Sequence, residues 1–190
     1  MGLQFEGMAG HSAMSDVDRN AWIDMIKSSN AKTVLEIGTF CGVTCALLAK
    51  EFPEVNFLCI DPFMKGVGTG AGVIEHWHKN RQPNMNLFVG TAQEFAERMM
   101  NLFAREKDGY AENRLPSFDL VFVDGDHGYE GALKDLRTVN EMTDHILCHD
   151  VGRVEPGLDQ VTKAVEDFCT ESKAWKYARR VGYVGILERI

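Results

Sequence analysis

The chain has 190 residues, 45% of them hydrophobic and 25% charged, with 28 acidic against 20 basic side chains and a net charge of −8. That length suits one domain with a full core; no apolar run approaches the roughly 18 residues of a membrane-spanning helix, and the opening MGLQFEGMAGHSAMSD lacks the pattern of a secretory signal. The acidic balance argues against a nucleic-acid backbone as partner, because phosphate contacts need a basic face.

Residues 1–15 show no periodicity and read as a loosely ordered arm or lid of a single domain spanning 1–190. Asp16 is a candidate N-cap, with Val17, Ala21, Met25 and Ile26 recurring at helical spacing until Asn30. Thr33–Ile37 is a β-rich run that passes at once into the glycine turn GTFCG, and a helix follows over about 42–51. Val55–Ile60 is the next buried run and stops at Asp61-Pro62. His76, Trp77 and His78 sit next, at a spacing that does not converge on a helix, and read as a solvent face. Asn86–Val89 is a short strand. Thr91 and Glu94 form a capping box for a helix whose apolar face is Phe95, Met99, Leu102 and Phe103.

Residues 105–117 are polar and aperiodic, hence a surface loop. Phe118–Val123 is a fourth strand ending on Asp124, followed by a helix marked by Tyr129, Leu133, Leu136 and Val139. His145–Cys148 is a fifth strand ending at His149-Asp150. Leu158, Val161, Val165 and Phe168 mark another helix. Trp175–Arg179 and Tyr183–Leu187, separated by Gly182, read as an antiparallel hairpin. Apolar strands alternating with amphipathic helices predict an α/β fold, a mostly parallel sheet with helices on both faces. Cys41, Cys45, Cys59, Cys148 and Cys169 show no paired or zinc-like spacing and read as reduced thiols of a cytosolic protein.

Ligands of such sheets sit beyond the C-terminal strand ends, and here those ends pass repeatedly to glycine or polar residues: Glu36 with Gly38, then Asp61, Gly90-Thr91, Asp124 and His149-Asp150. The first turn, Glu36-Ile37-Gly38-Thr39-Phe40-Cys41-Gly42, has Phe40 where a dinucleotide fingerprint needs its second glycine. It suits a nucleoside without a pyrophosphate. Asp61, 23 residues after Gly38, is placed to accept both ribose hydroxyl protons. The glycines of GVGTGAG (66–72) follow no strand directly and read as a flexible loop rather than a phosphate cradle.

VLEIGTFCG and FLCID resemble the first two motifs of class I S-adenosylmethionine-dependent methyltransferases, and the resemblance spans roughly Val34 to Asp150. It implies a Rossmann-like seven-stranded sheet with a C-terminal antiparallel hairpin. It also implies that Gly38, Thr39 and Gly42 pass the methionine portion of the donor, that Asp61 holds its ribose, that Thr91-Ala92 lies near the adenine, and that Glu36 organises the turn.

If the fourth and fifth strands are neighbours, about 4.8 Å apart, Asp124 opens onto the same edge as His149 and Asp150. Two carboxylates and an imidazole there suit a divalent cation. FVDGDHGYEG resembles metal-dependent O-methyltransferases of the catechol type and, more closely, the sugar O-methyltransferases of macrolide biosynthesis. That implies Asp124, His149 and Asp150 as ligands, Mg as the metal, and His127 as general base beside Asp124. His149 stands where those sugar enzymes carry a carboxylate. Asp126 reads as a helix cap. Cys41 has no partner base and reads as a packing residue.

The expected activity is methyl transfer to a hydroxyl of a small molecule, a sugar or another polyol. The alternatives are an NAD(P)-dependent oxidoreductase, against which Phe40 argues, and a nucleoside-binding module without turnover. The chain leaves little after the fifth strand to build an acceptor pocket. The arm with His11 and Met14, the glycine loop, or the second subunit of a homo-oligomer would then supply acceptor contacts.

Overall fold

A computed structural model of the chain describes residues 14–63, 72–103, 115–154 and 159–190. The arm before residue 14, with His11, most of the glycine loop 66–72, most of the 105–117 loop, and Leu158 lie outside these residues. In chain order the elements are α1 (Asp16–Ser29), β1 (Thr33–Ile37), α2 (Val43–Glu51), β2 (Asn56–Asp61), α3 (Val73–Asn80), β3 (Met85–Val89), α4 (Ala92–Phe103), β4 (Leu120–Val123), α5 (Tyr129–Val139), β5 (His145–Cys148), α6 (Gln160–Ser172), β6 (Trp175–Val181) and β7 (Val184–Arg189).

The seven strands form one sheet in the order β3-β2-β1-β4-β5-β7-β6. Five run parallel; β7 pairs antiparallel with β5 and with β6. The strand order reverses between the parallel strands β1 and β4, the switch point at which such sheets open a crevice beyond their C-terminal ends. Side chains alternate across the sheet, and each face has its own core. Leu35, Ile37, Val121, Val123 and Ile146 meet α4, α5 and α6. Val34, Phe57, Leu120, Phe122 and Ile186 meet α1, α2 and α3. Trp22 of α1 stacks on Phe122, with centroids 4.1 Å apart.

The capping box at Thr91 forms as read: the Glu94 carboxylate accepts the Thr91 N–H at 2.7 Å, and Thr91 Oγ1 accepts the Glu94 N–H at 3.2 Å. Asn30 closes α1 in the left-handed conformation.

Four local expectations need correction. The α1 cap is Ser15, whose Oγ accepts the Asp18 N–H, so Asp16 is the first helical residue. Val17 is exposed; the inner position goes to Asp18, whose carboxylate finds partners there. Leu102 is exposed, and the buried stripe of α4 is Ala92, Phe95 and Ala96, with Met99 packed against it. Trp77 is fully buried, whereas His78 is exposed. Its indole occupies the space left by Gly42, where an added Cβ would lie 2.5 Å from the ring.

Candidate functional site

The parallel register brings the residues after β1, β2, β3, β4 and β5 to one edge. Gly38, Asp61, Gly90, Asp124 and His149 therefore lie along the same C-terminal edge of the sheet. The β1–α2 turn is tightly wound, with positive φ at Gly38 (84°), Phe40 (49°) and Gly42 (71°). Gly38 donates its N–H to the Ile60 carbonyl, and the Gly42 N–H reaches the Thr39 carbonyl at 2.7 Å. Trp77 Nε1 donates to Thr39 Oγ1 at 3.3 Å, and Asn80 Nδ2 to the Cys41 carbonyl at 2.9 Å. Helix α3 thus props the turn from behind, and Cys41 is buried as packing.

Asp61 holds this turn directly. Its Oδ2 accepts the Phe40 N–H at 2.8 Å and its Oδ1 the Phe63 N–H at 2.7 Å. Burial raises the Asp61 pKa, and the two backbone donors oppose that rise. Past β3, Thr91-Ala92 sits at the start of α4. Gln93 follows, its amide donating to Asp135 Oδ1 and Thr138 Oγ1, both at 3.0 Å.

Glu36 lies under the turn, 3% exposed. Burial pushes its pKa up from 4.5 to about 7; Thr39 opposes the rise, the Asp124 charge adds to it, and the thiols of Cys59 and Cys45 oppose it. Its Oε2 has no hydrogen-bond partner among the described residues. The folded pKa exceeds the unfolded one. The protonated acid therefore favours folding fully below about pH 4.5, and that contribution is lost as pH rises through about 7. Glu36→Gln removes the titration and keeps the shape. Urea melts should show the variant gaining up to about 3 kcal/mol on the wild type between pH 4 and pH 8. A difference that does not change with pH would contradict this reading.

At the ends of β4 and β5, two carboxylates are bracketed by two imidazoles. His127 Nδ1 lies 2.5 Å from Asp150 Oδ2, and its Nε2 lies 3.9 Å from Asp124 Oδ1. His149 Nδ1 lies 3.2 Å from Asp124 Oδ1 and 3.4 Å from Asp150 Oδ1, while its Nε2 faces Asp18 Oδ2 at 3.6 Å. Burial disfavours the charged form of His149, but the Asp124 contact and the charges of Asp124, Asp150 and Asp18 outweigh it and lift the pKa to about 9. The Asp150 contact likewise raises His127. Asp150 adopts a left-handed φ of 60°, a conformation that side chains other than glycine enter at a cost. Asp126 is not the cap it was read as: the N-cap of α5 is Gly128, without a side-chain cap bond, and Asp126 Oδ1 instead accepts the Gly128 N–H in the turn ahead of the helix.

At this edge the donor atoms that all fall within 4.8 Å of one another are those of Asp124, His127 and Asp150, with His127 in the place expected for His149; Glu36, Cys45 and Cys59 form a second such group under the β1–α2 turn. Asp124 and Asp150 are common to this set and to the expected Asp124, His149 and Asp150. Asp150 Oδ1 and His149 Nδ1 are buried, and their ion-pair contacts with Arg153 and Asp124 do not meet hydrogen-bond geometry among the described residues. Carboxylate oxygens beside an imidazole are a donor set that fits a hard divalent cation.

Two residues of this edge were not read from the sequence. Asp18, buried on α1, accepts the Tyr183 N–H at 2.7 Å and the Ser15 hydroxyl at 2.6 Å, and faces His149. An acid on the apolar stripe of α1 was the available signal. Arg153 pairs its Nε with Asp150 Oδ1 at 2.6 Å, and nothing in the sequence pattern marked it.

The family model described as "Methyltransferase domain" matches residues 35–151, more than half of the chain. Among solved structures, the O-methyltransferase TomG of Streptomyces achromogenes, involved in tomaymycin synthesis and in complex with SAM, aligns over 94% of this chain and 82% of its own. Its TM-score is 0.63 at 15% identity. An O-methyltransferase of Bacillus cereus in complex with SAH aligns over 95% of this chain and 83% of its own, with a TM-score of 0.60 at 15% identity. These likenesses establish the fold. A tRNA (guanine-N(7)-)-methyltransferase of Nitrosomonas europaea is 32% identical over 77 residues, 40% of this chain and 33% of that relative's length. The dehydrogenase alternative finds no support in any of these matches. No helix among the described residues is long and apolar enough to cross a membrane. The chain belongs to the methyltransferase-domain family.

Proposed function

We propose that the enzyme moves the methyl group of S-adenosylmethionine to a hydroxyl of a small molecule, a sugar or another polyol. The observation that carries this reading is His127: an exposed imidazole held at 2.5 Å by Asp150, on the crevice edge that also holds the Gly38–Gly42 turn and Asp61. Solved O-methyltransferases of the same fold support it.

The sulfonium is already an activated donor. The acceptor must lose its proton and align behind the methyl carbon. His127 keeps Nδ1 on Asp150 and takes the hydroxyl proton at Nε2. The oxygen then forms its bond to the methyl carbon as the carbon–sulfur bond breaks, and S-adenosylhomocysteine leaves as a neutral thioether. A positioned base contributes roughly 100- to 10,000-fold, and holding both reactants in line is worth roughly 7–11 kcal/mol of the barrier. Asp124 and Asp150, flanked by the imidazoles, would hold a divalent cation, Mg being the natural candidate; when bound it would acidify and orient the hydroxyl.

Incubation with S-adenosylmethionine and a panel of sugars and polyols should release S-adenosylhomocysteine and place the methyl group on oxygen. His127→Ala should lower kcat by about 100-fold or more and leave S-adenosylhomocysteine affinity within about twofold. Methyl transfer only to nitrogen or carbon, or undiminished turnover in the variant, would overturn the proposal.

A further inference from the structure

We infer that the acceptor carries a carboxylate or phosphate close to its reacting hydroxyl and that Arg153 binds this group; the inference rests on the hydroxyl-transfer reading above. The geometry turns on Asp150, whose two oxygens are divided: Oδ2 holds the His127 imidazole at 2.5 Å and Oδ1 meets Arg153 Nε at 2.6 Å. One carboxylate thus places a base and a guanidinium side by side at the crevice mouth.

Arg153 is more positive charge than Asp150 needs, since His127 and His149 already lie within 3.4 Å of that carboxylate. The guanidinium meets Asp150 through Nε, and neither of its Nη groups makes a hydrogen bond among the described residues. Its plane lies over the Tyr183 ring at 5.0 Å, which fixes its orientation, and its side chain is 33% exposed. A planar, oriented guanidinium whose two Nη groups are unbonded among the described residues matches the paired oxygens of a carboxylate or phosphate. Arg180 reinforces this rim: its Nη1 donates to the Gly152 carbonyl at 2.9 Å, across the loop that carries Arg153. Two guanidinium groups at this mouth stand out on a chain of net charge −8, and they would draw an anionic acceptor toward His127.

The test is ligand-observed NMR titration of the protein–S-adenosylhomocysteine complex with glucose, glucuronate and glucose 6-phosphate. At least one anionic sugar should bind about tenfold or more tightly than glucose. Preference for glucuronate alone assigns a carboxylate, and for glucose 6-phosphate alone a phosphate. The advantage should fall below about threefold in Arg153→Gln and stay intact in Arg179→Gln, an exposed arginine of the same rim strand. Arg153→Lys keeps a positive charge near Asp150 but loses the fork, and should lose at least about threefold; it carries the test if the glutamine variant does not fold. Equal binding of the three sugars, binding of none, an advantage that survives Arg153→Gln, or equal loss in Arg179→Gln would overturn the inference. These readouts need no turnover. An enzyme that keeps the anion advantage but methylates no oxygen would instead contradict the proposed reaction.

Discussion

Asp61→Ala should weaken S-adenosylhomocysteine binding by about 100-fold or more in titration calorimetry, a loss of about 2.8 kcal/mol. The carboxylate has two tasks. It accepts the N–H groups of Phe40 and Phe63, residues held at φ of 49° and 47°. Left-handed backbone at bulky side chains costs roughly 1–3 kcal/mol each, and hydrogen bonds to a charged acceptor are worth roughly 1.5–3 kcal/mol. Each carboxylate oxygen has a second acceptor site, which under the proposed function would take the two ribose hydroxyls of the donor. Alanine removes the fastening of the turn and would remove that sugar contact as well. Asp61→Asn, which keeps one acceptor but turns an amide toward one backbone donor, should fall between. Affinity within about threefold of wild type in the alanine variant would remove Asp61 from the donor seat.

Gly38→Ala should destabilise the fold by about 4 kcal/mol or more, measured as the shift in urea unfolding at constant slope. An added Cβ would lie 2.0 Å from the Asp124 carbonyl oxygen and 2.6 Å from Gly125 Cα, and φ is +84°. Both obstacles are backbone, so no side chain can swing aside. The change would have to push β1 away from the end of β4, where Asp124 begins the acid–imidazole cluster. Gly42→Ala differs in kind, since its Cβ would meet the Trp77 ring. Typical domains are stable by about 5–15 kcal/mol, so Gly38→Ala leaves little margin. A loss below about 1 kcal/mol would mean that β1 and β4 do not approach this closely.

The sheet and its polar C-terminal edge were legible because buried parallel strands are short apolar runs, and here four of the five stop on glycine or an acid and the fifth on His149-Asp150. TVLEI before Gly38 and FLCI before Asp61 carry that signal within a few residues. Trp77 was misread because its burial depends on Gly42, 35 residues earlier, leaving a space that no local pattern records. The arrangement around His149 was legible only in part. Its neighbours Asp124 and Asp150 follow from strand pairing, which hydrophobic runs predict. Asp18 reaches it only because α1 packs across the sheet through Trp22 and Phe122. Arg153 depends on a rotamer laid against Tyr183, whose position is set by the hairpin. Such contacts belong to packing between distant segments, and residue type alone does not specify them.

The strand that fills the sheet between β5 and β6 is β7, which is made after both of them. Until it arrives, the nascent chain presents β5 as a bare edge, open to mispairing with other chains. Tyr183, which supplies the backbone donor for Asp18, arrives at the same late moment. Helix α1 can dock through Trp22 earlier, with Ser15 as the only partner of its Asp18 carboxylate until the hairpin folds. Closure of the acid–imidazole cluster therefore waits for β7, and chains stopped before that strand should depend on chaperones to keep β5 from mispairing.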